Sequence, residues 1–167
     1  QLVSDAHRAW HAGAGHWGAI TDVNSASIGI ELDNDGRSPF AEPLVESLLV
    51  LLDDLVTRWR IPPANIIGHS DMAPTRKIDP GVEFPWRRLA EHGYGLWPQD
   101  GTPPAPPGFD PVQALRAIGY PVDDMDATTR AFRMRFRARD GGALDDEDRR
   151  ILHALQQGWT IAPRAPV

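Results

Sequence analysis

Between Pro43 and Arg60 apolar residues recur at spacings of three and four: Leu44, Val45, Leu48, Leu49, Leu52, Leu55, Val56 and Trp59. That period predicts an amphipathic helix over 43–60. Arg58 and Arg60 favour its C-terminal end, and Pro62-Pro63 stops it. Its polar face (Glu46, Asp53, Asp54, Arg58) reads as solvated. Upstream the period falls to two. Over Ser27–Leu32 the apolar Ile28, Ile30 and Leu32 share one face and Glu31 takes the other, which predicts a central strand. Ile66-Ile67 reads as the end of a short buried strand. Gln1-Leu2-Val3 reads as the tail of another whose partners are absent, so an N-terminal portion is expected to be missing. Phe84-Pro85-Trp86-Arg87-Arg88-Leu89 opens a further short helix that ends near His92-Gly93.

After residue 100 the pattern changes. Gly101-Thr102-Pro103-Pro104-Ala105-Pro106-Pro107-Gly108 is an extended, semi-rigid linker. Three short helices are expected beyond it. Asp110 caps the first, with Pro111 inside it, Gln113 closing a capping box and Gly119 as its stop. Asp126 is expected to cap the second, which carries Phe132 and Phe136, and Asp145 the third, which carries Ile151, Leu152 and Leu155 before Gly158. The expected architecture is α/β: a mixed central β-sheet flanked by helices over 1–100, a linker over 101–109, and a small three-helix domain over 110–167. A unit of about fifty residues makes a marginal core, so this last domain is expected to lean on the first.

Composition narrows the function. Hydrophobic residues at 41% and charged residues at 24% are those of an ordinary globular protein. A formal net charge of -6 argues against a general nucleic-acid partner. The chain has no cysteine, which excludes disulfides and thiolate ligands, so any metal rests on histidine and carboxylate. No apolar run reaches membrane-spanning length, and no signal peptide is visible.

The candidate chemistry lies in Ile67-Gly68-His69-Ser70-Asp71-Met72-Ala73-Pro74-Thr75-Arg76-Lys77-Ile78-Asp79-Pro80-Gly81. The strand end delivers His69, and a loop stiffened by Pro74 and Pro80 returns Asp79 ten residues later. An imidazole and a carboxylate on two walls of one loop suit Zn²⁺. If the segment is extended, Lys77 falls on the same side as Asp79. The plainer alternative is a structural histidine beside an Asp-Pro-Gly turn. Trp10, His11, His16 and Trp17, interleaved with glycine, suit a groove wall that stacks on sugar or peptide, or else cap the core. Glu31 faces either solvent or a cleft. The run Arg130, Arg133, Arg135, Arg137, Arg139 is either a solvated helix face or a site for anionic polymer.

Three ordered blocks now bear on these alternatives. They are Ala9-Trp10-His11-Ala12-Gly13, then Ser27-Ile28-Gly29-Ile30-Glu31-Leu32, then Gly68-His69-Ser70-Asp71 with Arg76-Lys77-Ile78-Asp79-Pro80-Gly81 and Phe84-Pro85-Trp86. Together they resemble the zinc-dependent N-acetylmuramoyl-L-alanine amidases over about the first hundred residues. The resemblance implies Zn²⁺ as cofactor, His69 and Asp79 as metal ligands, and Glu31 as general base. It also implies Lys77 at the oxyanion, Trp10 and His11 lining the cleft, and a peptidoglycan or muropeptide substrate in the cell envelope or periplasm. A monomer is expected. The family's third ligand, a histidine in a block resembling His-Tyr-Thr-Ala, has no counterpart here; His7, His11 and His16 belong to the later block. This leaves room for a metal-free peptidoglycan-recognition protein, or for a glycan hydrolase pairing Glu31 with Asp71 or Asp79. The pattern from Ala114 to Tyr120, through 126–136 and 144–155, resembles a three-helix peptidoglycan-binding domain.

Overall fold

The computed structural model describes residues 1–163. Its longest element is α2 (Glu42–Trp59), preceded by the single turn α1 (Val23–Ala26). The three-four spacing buries Val45, Leu48, Leu52 and Leu55 on one face of α2. That face meets Phe84, Trp86 and Leu89, the last two on α4 (Trp86–Glu91). Arg60 closes α2 in the left-handed region at φ 53°, and its N–H donates to the Val56 carbonyl. The polar face does more than meet water. Arg58 pairs with Asp54 and Asp5, and the Trp59 indole donates to Asp5 at 3.1 Å, which ties the N-terminal segment to the helix.

The expected central sheet is not formed among the described residues. Over Ser27–Leu32 the alternation is right, with Ile28, Ile30 and Leu32 half-buried and Gly29 and Glu31 exposed. Yet among the described residues no strand lies alongside, and the backbone groups of residues 28–32 make no hydrogen bond with any of them. A ladder needs a partner, and without one an alternating segment stays an extended arm. Two isolated antiparallel bridges, Trp17 with Ile20 and Pro98 with Thr160, are the β-pairing among the described residues. Gln1-Leu2-Val3 is exposed and likewise unpaired.

Three helices follow residue 110: α5 (Pro111–Ile118), α6 (Met125–Arg137) and α7 (Asp146–Gln156). Asp110 caps α5 by accepting from Val112 and Gln113. Asp145 and Asp148 form a reciprocal capping box on α7. The cap of α6 is Asp124, not Asp126; its carboxylate accepts from Ala127 at 3.0 Å, and Asp126 sits in the first turn. Residues 164–167, the end of the expected three-helix domain, lie outside the described residues.

One apolar cluster draws on residues before and after 101–109. Ala12, Trp17, Val23, Met72 and Ala73 pack with Leu115, Tyr120, Phe132, Phe136, Ile151 and Leu152. Trp17 and Tyr120 meet edge to face at 4.9 Å, and Gly18 donates to the Gly119 carbonyl at 2.8 Å. Gly119 has φ 131°, and a Cβ there would stand 2.7 Å from the Trp17 ring, so only glycine fits. The arginines of α6 are largely internal. Arg133 and Arg137 pair with Asp145 and Asp148, Arg135 pairs with Asp71, and Arg130 donates to the Pro74 carbonyl. For these four neither a solvated face nor a polymer site describes the arrangement.

Phe132 is fully buried between Tyr120 and Phe136. Phe132→Ala is expected to cost about 3–5 kcal/mol by urea denaturation, while Val50→Ala on the exposed side of α2 stays within about 0.5 kcal/mol. Burial first, and then the Asp71 charge, push the Tyr120 hydroxyl well above the ordinary tyrosine range. A raised folded value means the contribution is whole below about pH 10 and is lost as pH climbs through it. Phenolate absorbance of Tyr120 should therefore appear only together with loss of near-UV circular dichroism; earlier ionisation in the folded chain would contradict the burial.

Candidate active site

The turn α3 (His69–Met72) presents His69, and the rest of its loop folds back on it. Ser70 donates to the Asp79 carbonyl at 2.9 Å, which returns Asp79 beside the turn. His69 Nδ1 then lies 3.0 Å from Asp79 Oδ2, and Nε2 lies 2.8 Å from the Ala12 carbonyl. Both neighbours are acceptors. A neutral ring can donate to only one of them.

A cavity of about 630 Å³ opens beside this pair. His11, Glu31, His69 and Asp79 all line it, against apolar walls from Leu48, Leu52, Phe84 and Trp86. The extended arm supplies Glu31, which is exposed. His11 is half-buried, with Nε2 3.3 Å from the Ser27 carbonyl. Gly29 allows that approach, because a Cβ there would stand 2.5 Å from His11 Nδ1. The structure thus brings four of the six expected site residues to one cavity. Trp10 and Lys77 do not line it. Trp10 is 82% exposed and stacks under the Arg8 guanidinium at 4.3 Å. Lys77 is half-buried and follows the turn at 74–76, its N–H donating to the Ala73 carbonyl.

Arg76 and Asp71 shape the site through contacts that the sequence did not announce. Arg76 donates to the Ala12 and Ala14 carbonyls and so fastens the Trp10–Gly18 loop to the His69 loop. Asp71, fully buried, accepts from the Gly68 N–H, the Tyr120 hydroxyl and Arg135. The sequence places Arg135 64 positions from Asp71, and no local pattern links them.

The donor chemistry of His69 and Asp79 is what Zn²⁺ takes, but the number falls short. A catalytic zinc rests on three protein ligands, and the described residues gather no group of three His, Cys, Asp or Glu able to hold a metal. His69 and Asp79 supply two of the ligands such a centre needs.

A cavity lined by a carboxylate and a histidine–carboxylate pair carries groups that hydrolytic chemistry uses. Residues 1–82 match the Amidase_2 family, described as N-acetylmuramoyl-L-alanine amidase. N-acetylmuramoyl-L-alanine amidase AmiD of Escherichia coli K12 is 37% identical over 186 residues, covering 95% of this chain and 67% of AmiD. 1,6-Anhydro-N-acetylmuramyl-L-alanine amidase AmpD of Enterobacter cloacae is 41% identical over 89 residues, which cover 53% of this chain and 48% of that protein. Among solved structures, E. coli AmiD in complex with anhydro-N-acetylmuramic acid-L-Ala-D-gamma-Glu-L-Lys superposes with a TM-score of 0.85 at 35% identity, over 95% of this chain and 72% of the other. AmpDh3 of Pseudomonas aeruginosa in complex with anhydromuramic pentapeptide gives 0.83 at 36% identity, over 96% and 73%. The chain belongs to the Amidase_2 family of N-acetylmuramoyl-L-alanine amidases, and it is an enzyme of that kind.

Gly29→Ala is expected to drive His11 off the Ser27 carbonyl and to destabilise the chain. In a double-mutant cycle with His11→Ala the two changes should couple by about 0.5–3 kcal/mol. Strict additivity in thermal denaturation would mean that the two residues do not press on each other.

Proposed function

We propose that the cleft takes a muropeptide, free or within peptidoglycan, and that the chain hydrolyses the amide between N-acetylmuramic acid and L-alanine. The observation that carries this reading is Glu31 lining the same cavity as the His69–Asp79 pair. The substrate comes from the relatives: AmiD and AmpDh3 were solved with anhydromuramyl peptides. That substrate is a component of the cell envelope, where the reading puts the activity.

Glu31 takes a proton from the attacking water as the water oxygen bonds to the lactyl carbonyl carbon. It then delivers that proton to the nitrogen as the C–N bond breaks, releasing the lactyl carboxyl group and the amine of L-alanine. Lys77 would move its ammonium toward the oxyanion of the tetrahedral intermediate. His11 meets the substrate inside the cavity, and Trp10 stacks on sugar or peptide at its approach. Zn²⁺, which family membership implies, would take His69 and Asp79 as two of its ligands. When bound it supplies Lewis acidity. The three-helix resemblance supports wall contact by the C-terminal segment, through surfaces other than its buried arginines.

The test is release of L-alanyl peptide from an anhydromuramyl peptide, run beside zinc analysis by plasma emission. Glu31→Gln is expected to lower kcat by roughly 10²–10⁴ with zinc content unchanged from the parent chain. His69→Ala is expected to lower both. A Glu31→Gln variant with the parental rate would remove Glu31 from the chemistry, and a parent chain that takes up no zinc on reconstitution would remove the metal from this reading.

A further inference from the structure

The turn that presents His69 is gripped from the far side by the C-terminal helices. Arg135 on α6 is buried, and its guanidinium reaches two points that bracket His69 in the chain. Nη1 donates to Asp71 Oδ2 at 2.7 Å, and Nη2 donates to the Ile66 carbonyl at 3.1 Å. Its flat face lies 4.2 Å from the centre of the Trp86 ring. Asp71 Oδ2 also accepts from the Gly68 N–H at 2.8 Å, which holds the residue just before His69. Asp71 Oδ1 accepts from the Tyr120 hydroxyl at 2.6 Å. Tyr120 and Asp71 are each 1% exposed, so water takes no share of these bonds.

We propose that Arg135 and Tyr120 are positioning residues for His69, and hence that the helices beyond the linker are a working part of the active site. This inference rests on the reading of His69 as a site residue. One planar cation holds Ile66, before His69, and the carboxylate after it at set distances, so the direction of the imidazole is set from α6. Lysine, a single point donor, does not bridge two acceptors in that fixed geometry. The Tyr120 hydroxyl orients the same carboxylate from its other oxygen. A displacement of about 1 Å at a reacting group costs up to roughly 10²-fold in rate, so the grip matters to turnover beyond its part in folding.

The test uses the full chain and three variants: Arg135→Lys, Tyr120→Phe, and Leu152→Ala as a destabilised core control on α7, an element that gives Asp71 no hydrogen bond. The readouts are the His69 imidazole resonances, assigned by loss in His69→Asn, and kcat and KM on anhydro-N-acetylmuramyl-L-alanyl peptide. Arg135→Lys and Tyr120→Phe are expected to shift the His69 resonances and lower kcat by roughly tenfold or more, with KM within about twofold. Leu152→Ala is expected to lower the melting temperature and leave the His69 resonances in place. Parental His69 resonances in both folded variants would overturn the proposal, as would an equal shift in Leu152→Ala. Should Arg135→Lys fail to fold, Tyr120→Phe decides, since it removes one oxygen atom only. A parent chain inactive on the muropeptide would sink the proposed function, and the His69 resonances would still decide this inference.

Discussion

A carboxylate with no access to water must be met by donors on each oxygen, and Asp71 is met from three directions. Gly68, Tyr120 and Arg135 come from the loop itself, from the turn after α5 and from α6. Removing one partner of such a buried pair typically costs about 3–5 kcal/mol, because the other charge is left stranded. The cost does not rank this pair above an apolar replacement in stability. It does mean that the loop, the tyrosine and the helix are held in one arrangement or lost together. His69, two residues from Asp71, inherits that arrangement.

Helix α6 repeats the device in a second direction. Arg133 and Arg137, one helical turn apart, reach Asp148 and the capping Asp145 at the start of α7. Arg135, between them in sequence, points to the other side of the helix and reaches the His69 loop. Interleaved arginines therefore bind α6 to a helix on one side and to the site on the other. Phe132 and Phe136 fill the apolar space shared with Tyr120 and Trp97.

Local chemistry was readable where the partners are close in sequence. The period of α2, the caps at Asp110 and Asp145 and the return of Asp79 to His69 all follow from residues within a few turns of one another. The cap of α6 slipped by two because Asp123, Asp124 and Asp126 are equally able side chains, and only backbone direction selects one. Glu31 was assigned through family resemblance, since alternation alone allows solvent as readily as a cleft. The sheet failed for a different reason: alternation determines which side chains share a face, and says nothing of whether a neighbouring strand is there to pair.

The sequence by itself determined the helix periods, the histidine–carboxylate loop and the absence of thiol chemistry, because each depends on residue type and short spacing. Tertiary structure alone decided that Ser27–Leu32 is an unpaired arm lining the cavity. It alone turned the arginines of α6 inward and joined Arg135 to Asp71 across 64 positions. A buried charge finds its partner by where the packed core leaves room for both, and that room is a property of the whole chain.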